Sequence, residues 1–460
     1  MRAISPPITP APAPPREQLF RALVILAIPV LAENVLNILV GLNDAYLANH
    51  LPEDIRVDAT AAVGTVAYLL WFVGLFSAAV GTGATAIIAR AIGARHRTRA
   101  HAACGQAMLL AAALGVSLGA LFYFAAPAIT SVAGLEERAA LIALEYLRIF
   151  APFAPAMLLL FVANSCLRGA GDTRTPAAAM ILVNLVNIAL TWSLSYGLFG
   201  LPEMGFRGIA LGTGIAYAFG AAMQVTILFT GYAGLRLRAH RLRFHGREML
   251  RVLRIGLPAG GEQVLMWSVN FYLVHVVNKL DVVSSAAHFN AIRLESLSFT
   301  TGFAVGIATS TMVGQSLGMG DVARAKRVAR YGFFLGAGAM GVIGVLFILA
   351  ATLFASFISE DPAVRELTAR CLFFAGFIQV GFGAYIIYAS ALRGAGDTRG
   401  AMYVNIFSVV GVRLLGVYIV GQYFQLGLAA IWLVLCGELA LRGVLMYARF
   451  AQGKWQTIEV

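Results

Sequence analysis

Charged side chains are scarce in this chain. Asp, Glu, Lys and Arg make up 12% of its 460 residues, against about 25% in an average soluble domain. So little charge cannot cover a soluble core of this size, which excludes an ordinary water-soluble enzyme or binding domain. Acidic residues are the scarcer kind, 22 against 34 basic, for a net charge of +12. Cysteine is sparse too: Cys104, Cys166, Cys371 and Cys436 lie scattered in apolar segments without CxxC spacing, as packing residues rather than a metal or disulfide set. HExxH, a Gly-Lys-Ser/Thr phosphate loop, a Ser-Lys or Ser-His pair at catalytic spacing and an Asp-rich metal motif are all missing. A membrane-embedded enzyme is therefore only a remote alternative, and no metal or cofactor is expected.

What the chain has instead is apolar sequence, 60% of it, with 48 glycines. Twelve apolar segments follow one another between residues 20 and 448. About 20 apolar residues cross a bilayer as a helix, and small residues let such helices approach closely. The expected fold class is an all-α integral membrane protein of twelve transmembrane helices.

An octapeptide occurs twice. Leu167-Arg168-Gly169-Ala170-Gly171-Asp172-Thr173-Arg174 returns unchanged as Leu392-Arg393-Gly394-Ala395-Gly396-Asp397-Thr398-Arg399, 225 residues later. Further upstream an offset of 229 aligns Pro29 and Glu33 with Pro258 and Glu262. Self-similarity at half the chain length means two copies of one unit. Six spans per copy is an even number, so both copies enter the membrane in the same sense, as two pseudo-symmetric lobes about a central cavity. The expected division is a disordered Pro-rich cytoplasmic leader (1–18), an N-lobe (19–234), a basic cytoplasmic linker lying on the lipid surface (235–254), a C-lobe (255–449) and a cytoplasmic tail (450–460). The octapeptides sit at the ends of spans four and ten. Their glycines permit a tight turn, their Asp can cap the next helix, and their Arg can meet lipid phosphate or the preceding carbonyls.

Most Lys and Arg fall at the N-terminus, in the even-to-odd connections and in the tail. The odd-to-even connections carry Arg56, Arg138, Arg207, Lys279 and Arg365 alone. The positive-inside rule then puts both termini in the cytoplasm of a cell with this protein in its inner membrane. Basic charge sits where that rule puts it, so no nucleic-acid partner is required; the expected partners are the bilayer and a small substrate, with the chain a monomer.

Ionisable residues inside spans are costly and suggest function. Glu33, Asn37 and Asp44 fall within about 40° of one another on span one, and Asn184, Asn187, Thr191 and Ser195 form a second polar stripe on span five. Interhelical hydrogen bonding is the plainer reading of Asn184 and Ser195. The repeat serves as an internal control. Asp44 has Leu273 as its counterpart, Asn187 and Thr191 have Val412 and Gly416, and Thr213 has Trp432. Symmetry explains what both halves share, so a polar cluster peculiar to the first half points to a task done only there, best read as cation coupling. Glu33 and Glu262 either cap carbonyls freed by Pro29 and Pro258 or line the cavity. Glu295 is placed to attract a cationic substrate, Glu438 and Arg442 to form an internal pair, and His275 to pack.

Several stretches resemble the multidrug and toxic-compound extrusion (MATE) family of secondary transporters. They are Ile28-Pro29 through Asp44-Ala45, Gly81-Thr82-Gly83-Ala84-Thr85 to Gly93, Ala308 through Gln315 with Leu317-Gly318, and both octapeptides. The resemblance implies a V-shaped pair of lobes exporting organic cations in exchange for H+ or Na+. It also implies an N-lobe cation or proton site at Asp44, Asn187, Thr191 and Thr213, with hinges at Pro29 and Pro258. Two departures matter. The Thr191 position usually carries Asp in the family, and Met266 and Phe382 stand where C-lobe carboxylates occur in sodium-coupled and plant-like members. A lone Asp44 among neutral oxygens favours a proton over a tight Na+ cage. Asn37, Glu262, Glu295 and Met266 are the substrate-cavity candidates, with Glu33 and Asn184 added to the coupling set. A lipid or lipid-linked-precursor flippase of the same architecture is the alternative; twelve spans and a preponderance of carboxylates over buried arginines argue against it.

Overall fold

The computed structural model describes residues 16–132, 135–231, 234–238 and 242–458. Most of the expected leader, and part of the linker, lie outside the described residues. The N-lobe comprises α1 (Arg16–Ala48), α2 (Glu53–Gly93), α3 (Arg97–Phe124), the short α4 (Ala126–Val132), α5 (Glu137–Phe150), α6 (Ala154–Ala170), α7 (Arg174–Tyr196) and α8 (Phe206–Thr230). α5 and α6 form one span, interrupted by a single turn over Ala151–Phe153. The C-lobe comprises α9 (Gly246–Asn278), α10 (Val282–Gly318), α11 (Val322–Ser356), α12 (Pro362–Gly394), α13 (Thr398–Ser408), α14 (Leu415–Val417) and α15 (Leu428–Ala451). π-helical turns flank α14, making one span with α13 that ends at Tyr423.

Among the described residues, 11 helical segments are long and apolar enough to cross a membrane. α9 is 33 residues long but carries Glu262, Gln263, Asn270 and His275, and it is the counterpart of α1. Helix starts in the C-lobe are fixed by aspartates: the side chains of Asp281, Asp321, Asp361 and Asp397 accept from backbone N–H groups of the following turn, which satisfies donors a helix leaves unpaired. α2 begins at Glu53, earlier than its apolar run, because Glu53, Asp54 and Asp58 make a polar first turn and a half beyond it.

The duplication holds at the level of packing. α1 against α7, α2 against α6, α3 against α6 and α6 against α8 in the N-lobe correspond to α9 against α13, α10 against α12, α11 against α12 and α12 against α15 in the C-lobe. Between lobes, α1 lies on α10 and α9 lies on α2, the reciprocal arrangement that a twofold axis along the membrane normal requires. The octapeptides show why each glycine is there. Gly171 and Gly396 have φ of 95° and 87°, left-handed values that disfavour any residue with a Cβ. A Cβ on Gly169 or Gly394 would press on the backbone of Thr85 or Ser310. Between lobes, Gly93 abuts the Gln315 carbonyl and Gly318 abuts the Arg90 carbonyl; these are symmetry mates at the same 225-residue offset.

The end of the bundle carrying both octapeptides is closed. There Thr311 and Gln315 donate to the carbonyls of Arg168 and Gly169, at 3.0 and 3.5 Å. Arg90 donates to the carbonyls of Ala395 at 2.7 Å and Ile458 at 2.5 Å. Trp455 is fully buried, stacked on Phe450 with its indole N–H on the Phe450 carbonyl, so the tail docks into the C-lobe. The linker also differs from a surface strap. Leu235 and Leu237 are buried beside α3, and Gln106 holds the backbone of Arg243 and His245, while helix α9 already begins at Gly246. The apolar spacing of two leucines, and one buried amide on α3, pull it onto the N-lobe.

Candidate functional site

α1, α7 and α8 converge in the N-lobe on a buried polar cluster. Asp44 is 5% exposed, and Asn187, Thr191 and Thr213 are 0 to 1% exposed. The Thr213 hydroxyl donates to the Asp44 carboxylate at 2.8 Å, and the Asn187 amide donates to it at 3.4 Å and to Thr213 at 2.8 Å. Close helix approach makes this possible: a Cβ on Gly212 would collide with Thr191, so α7 and α8 sit nearly backbone to backbone. Tyr146 of α5, also buried, interacts with Asp44 and Thr213.

Thr191 does not reach Asp44. Its hydroxyl donates to the Asn187 carbonyl at 2.7 Å and accepts from Asn43 at 3.0 Å. Asn43 also donates to the Asn187 side chain at 2.9 Å and accepts from the Trp192 indole at 3.1 Å. Asn43, Tyr146 and Trp192 are the members that the sequence reading missed. Asn43 is one residue, hence 100°, off the Asp44 stripe, but the repeat comparison flags it, since its counterpart is Tyr272. In the C-lobe the equivalent space is filled: Leu273 and Trp432 are buried in an apolar cluster, the Trp432 indole bonded to His288 at 3.2 Å.

The other expected residues are placed elsewhere. Glu33 takes the Arg168 guanidinium at 2.8 Å and the Asn164 amide at 3.0 Å, and Glu262 takes Arg393 at 2.5 Å. The first arginine of each octapeptide, Arg168 and Arg393, therefore meets a proline-turn glutamate rather than lipid phosphate or helix carbonyls, whereas Arg174 and Arg399 are exposed. Carbonyl capping by these glutamates is corrected likewise, because a guanidinium reaches them first. Glu33 is 11 residues from Asp44, about 16 Å along the helix, and stands apart from the Asp44 cluster. Asn184 donates to the carbonyls of Leu36 and Met180, as a bond between helices does. Asn37 is half-buried on α1 between the two sites. Pro29 and Pro258 lie inside continuous helices.

In the C-lobe, Glu295 is buried and accepts from Gln379 at 3.3 Å, which in turn accepts from Ser298. The pair of Glu438 and Arg442 is present at 2.6 Å, with Arg413 joining it at 2.8 Å and Ser408 donating to the same carboxylate. Met266 faces Arg442, Sδ at 3.7 Å. Buried carboxylates (Glu33, Asp44, Glu262, Glu295, Asp397 and Glu438) outnumber the buried arginines Arg413 and Arg442, as expected. His275 is exposed rather than packed; among the described residues the buried imidazole is His288. Among the described residues no cluster of His, Cys, Asp and Glu could hold a metal ion.

A duplicated helical membrane bundle with buried polar clusters in both lobes, the Asp44 cluster having no counterpart in the second half, is the architecture of a two-lobe transporter. The MatE family model matches residues 29–193 and 258–419, one stretch per lobe. The chain belongs to the MATE family. It is 30% identical to the "Probable multidrug resistance protein NorM" of Thermotoga maritima over 95% of this chain and 93% of that one. It is 27% identical to the "Multidrug resistance protein PmpM" of Pseudomonas aeruginosa over 94% and 91%. Among solved structures, an outward-facing multidrug resistance MATE transporter of the MOP superfamily superposes with a TM-score of 0.86 at 22% identity, covering 96% of this chain and 98% of that one. A MOP superfamily transporter from Pyrococcus furiosus, described as having a binding pocket of reverse polarity, gives 0.86 at 21% over 96% and 97%.

Proposed function

We propose that the chain exports small amphipathic organic cations across an inner membrane in exchange for protons, with Asp44 as the coupling carboxylate. One observation carries this reading: buried Glu33, Glu262 and Glu438 each have an arginine partner, while Asp44 is held by neutral donors only. A guanidinium beside a carboxylate supplies a fixed countercharge, which hydroxyl and amide donors do not. Asn187 turns its amide nitrogen, not its oxygen, toward Asp44, and Thr191 is occupied by Asn43. That arrangement favours H+ over Na+, which prefers several converging oxygens.

With the octapeptide end in the cytoplasm, as the basic loops favour, this conformation faces outward. Ionised Asp44 holds the drug-competent state. Protonation from outside removes the charge that Thr213 and Asn187 address, α1 bends at Pro29, the drug site collapses and the lobes rock to release the proton inside. Dye transport in everted vesicles tests the ion. Collapsing the pH gradient should stop it and collapsing a sodium gradient should not; the opposite result makes sodium the driver.

Stoichiometry follows from magnitudes. Expelling a monovalent cation a hundredfold costs about 2.7 kcal/mol and 100 mV adds about 2.3. One entering proton supplies about 2.3 from the potential and about 1.4 per pH unit. At one pH unit, one-for-one exchange falls short of a hundredfold gradient, so either the gradient achieved is smaller or a second proton enters on a second carrier. Glu295, buried and bound to an amide rather than a guanidinium, is placed for it. Charge counting in proteoliposomes should give two protons per cation, falling to one in Glu295→Gln; an unchanged count removes Glu295 from the cycle.

A further inference from the structure

At the octapeptide end, a chamber of about 920 Å³ opens between the lobes. Its walls carry Arg90, His96, Arg99, Arg251, Arg254 and Arg399, drawn from α2, α3, α9 and the second octapeptide. The acidic side chain lining it, Asp397, is already paired with Arg449 at 2.8 Å, and Arg251 has a partly exposed Glu248 at 2.6 Å. Arg90 spends its two terminal nitrogens on carbonyls, and its Nε is buried without a hydrogen-bond partner. Basic charge thus exceeds acidic charge around a half-open chamber, with His96, Arg99, Arg251, Arg254 and Arg399 exposed along its walls and Arg90 half-buried.

A positive-inside bias explains basic loops in general, and it acts on both repeats at the same membrane face. The repeat therefore allows the two junctions to be compared position by position. At the offsets already given, Arg90, His96, Arg251 and Arg254 correspond to Gln315, Asp321, Ala22 and Ile25. Only Arg99 and Arg399 have basic mates, Arg324 and Arg174. Position for position, four of the six are thus peculiar to this junction, while the sister junction carries its basic charge at other positions, Arg21, Lys326, Arg327 and Arg330.

We propose that this chamber binds a phosphate-bearing anion. Guanidinium groups match phosphate oxygens in a bidentate way, and several of them around one anion convert repulsion into charge-assisted hydrogen bonds. Because α2 and α3 belong to one lobe and α9 and the second octapeptide to the other, the bound anion bridges the lobes. It favours the state closed at this end, a control separate from Asp44. The source is either a soluble phosphorylated compound or the headgroup of an anionic lipid, which share this chemistry.

The test uses the full chain in nanodiscs. In phosphatidylcholine discs, inorganic pyrophosphate is titrated and followed by isothermal calorimetry. In a second arm without pyrophosphate, discs containing phosphatidylglycerol are used, and lipid retained by the protein is measured by native mass spectrometry. The variant R251Q/R254Q touches neither the Asp44 cluster nor the interlobe hydrogen bonds. R174Q/K326Q removes the same charge from exposed positions outside the chamber. Saturable pyrophosphate binding, weakened at least tenfold in R251Q/R254Q and unchanged in R174Q/K326Q, supports the site with a soluble ligand. Phosphatidylglycerol retained by the wild type and the control but lost in R251Q/R254Q supports it with a lipid ligand. No binding in either arm, or equal losses in both variants, overturns it.

Discussion

Asp44→Asn should leave a folded transporter that no longer couples. The substitution keeps the shape of the side chain, and its carbonyl oxygen still accepts from Thr213, now at 2.8 Å from the carboxylate. The new amide opposes the Asn187 amide, a mismatch of one hydrogen bond worth about 1 kcal/mol, so thermal stability in detergent should change little. What disappears is the ability to alternate between charged and neutral. Proton-driven dye export in vesicles, and drug resistance in cells, should fall to the level of cells without the protein. Thr213→Val should weaken export less, because the carboxylate remains. Wild-type resistance in the Asn variant, at equal protein in the membrane, would end the assignment of Asp44.

Much of this site was legible because the chain carries its own comparison. Asp44, Asn187 and Thr213 stood out as polar where the second half has Leu273, Val412 and Trp432, and the structure brings these three together. Asn43 would have emerged from the same test, had the test been applied to every position instead of to one helical stripe. The arginine partners were out of reach for a different reason. Which guanidinium meets Glu33 depends on how α1 and α6 cross against α2, and that crossing is set by Gly81 and Gly169 packing on Ser165 and Thr85, a tertiary matter that no periodicity encodes. The fold itself was readable from apolar length and the repeat. Where it was not, as in the polar start of α2 or the docked linker, the residues involved interact with the protein rather than with lipid.

The ion pairs of Glu33 and Glu262 make the second strong expectation, and it separates architecture from coupling. Glu33 with Arg168 and Glu262 with Arg393 are the same pair in two copies, with the carboxylates 3 and 4% exposed and the arginines 16 and 20%. Removing one partner of a buried pair leaves an uncompensated charge and costs about 3–5 kcal/mol; the partial exposure of the arginines puts the expectation at the lower end. Glu33→Gln and Glu262→Gln should therefore each lower the unfolding midpoint of the purified protein by similar amounts. The doubles E33Q/R168Q and E262Q/R393Q should recover part of the loss, since no lone guanidinium remains. Equivalence of the two halves is the decisive feature: a structural pair is lost alike in both, whereas a coupling residue belongs to one. If Glu33→Gln were stable yet unable to export while Glu262→Gln behaved as wild type, Glu33 would join Asp44 in carrying the proton. The proline-turn glutamates would then have diverged in function while each kept its octapeptide arginine, with Asn164 beside Glu33 as the difference between the two sites.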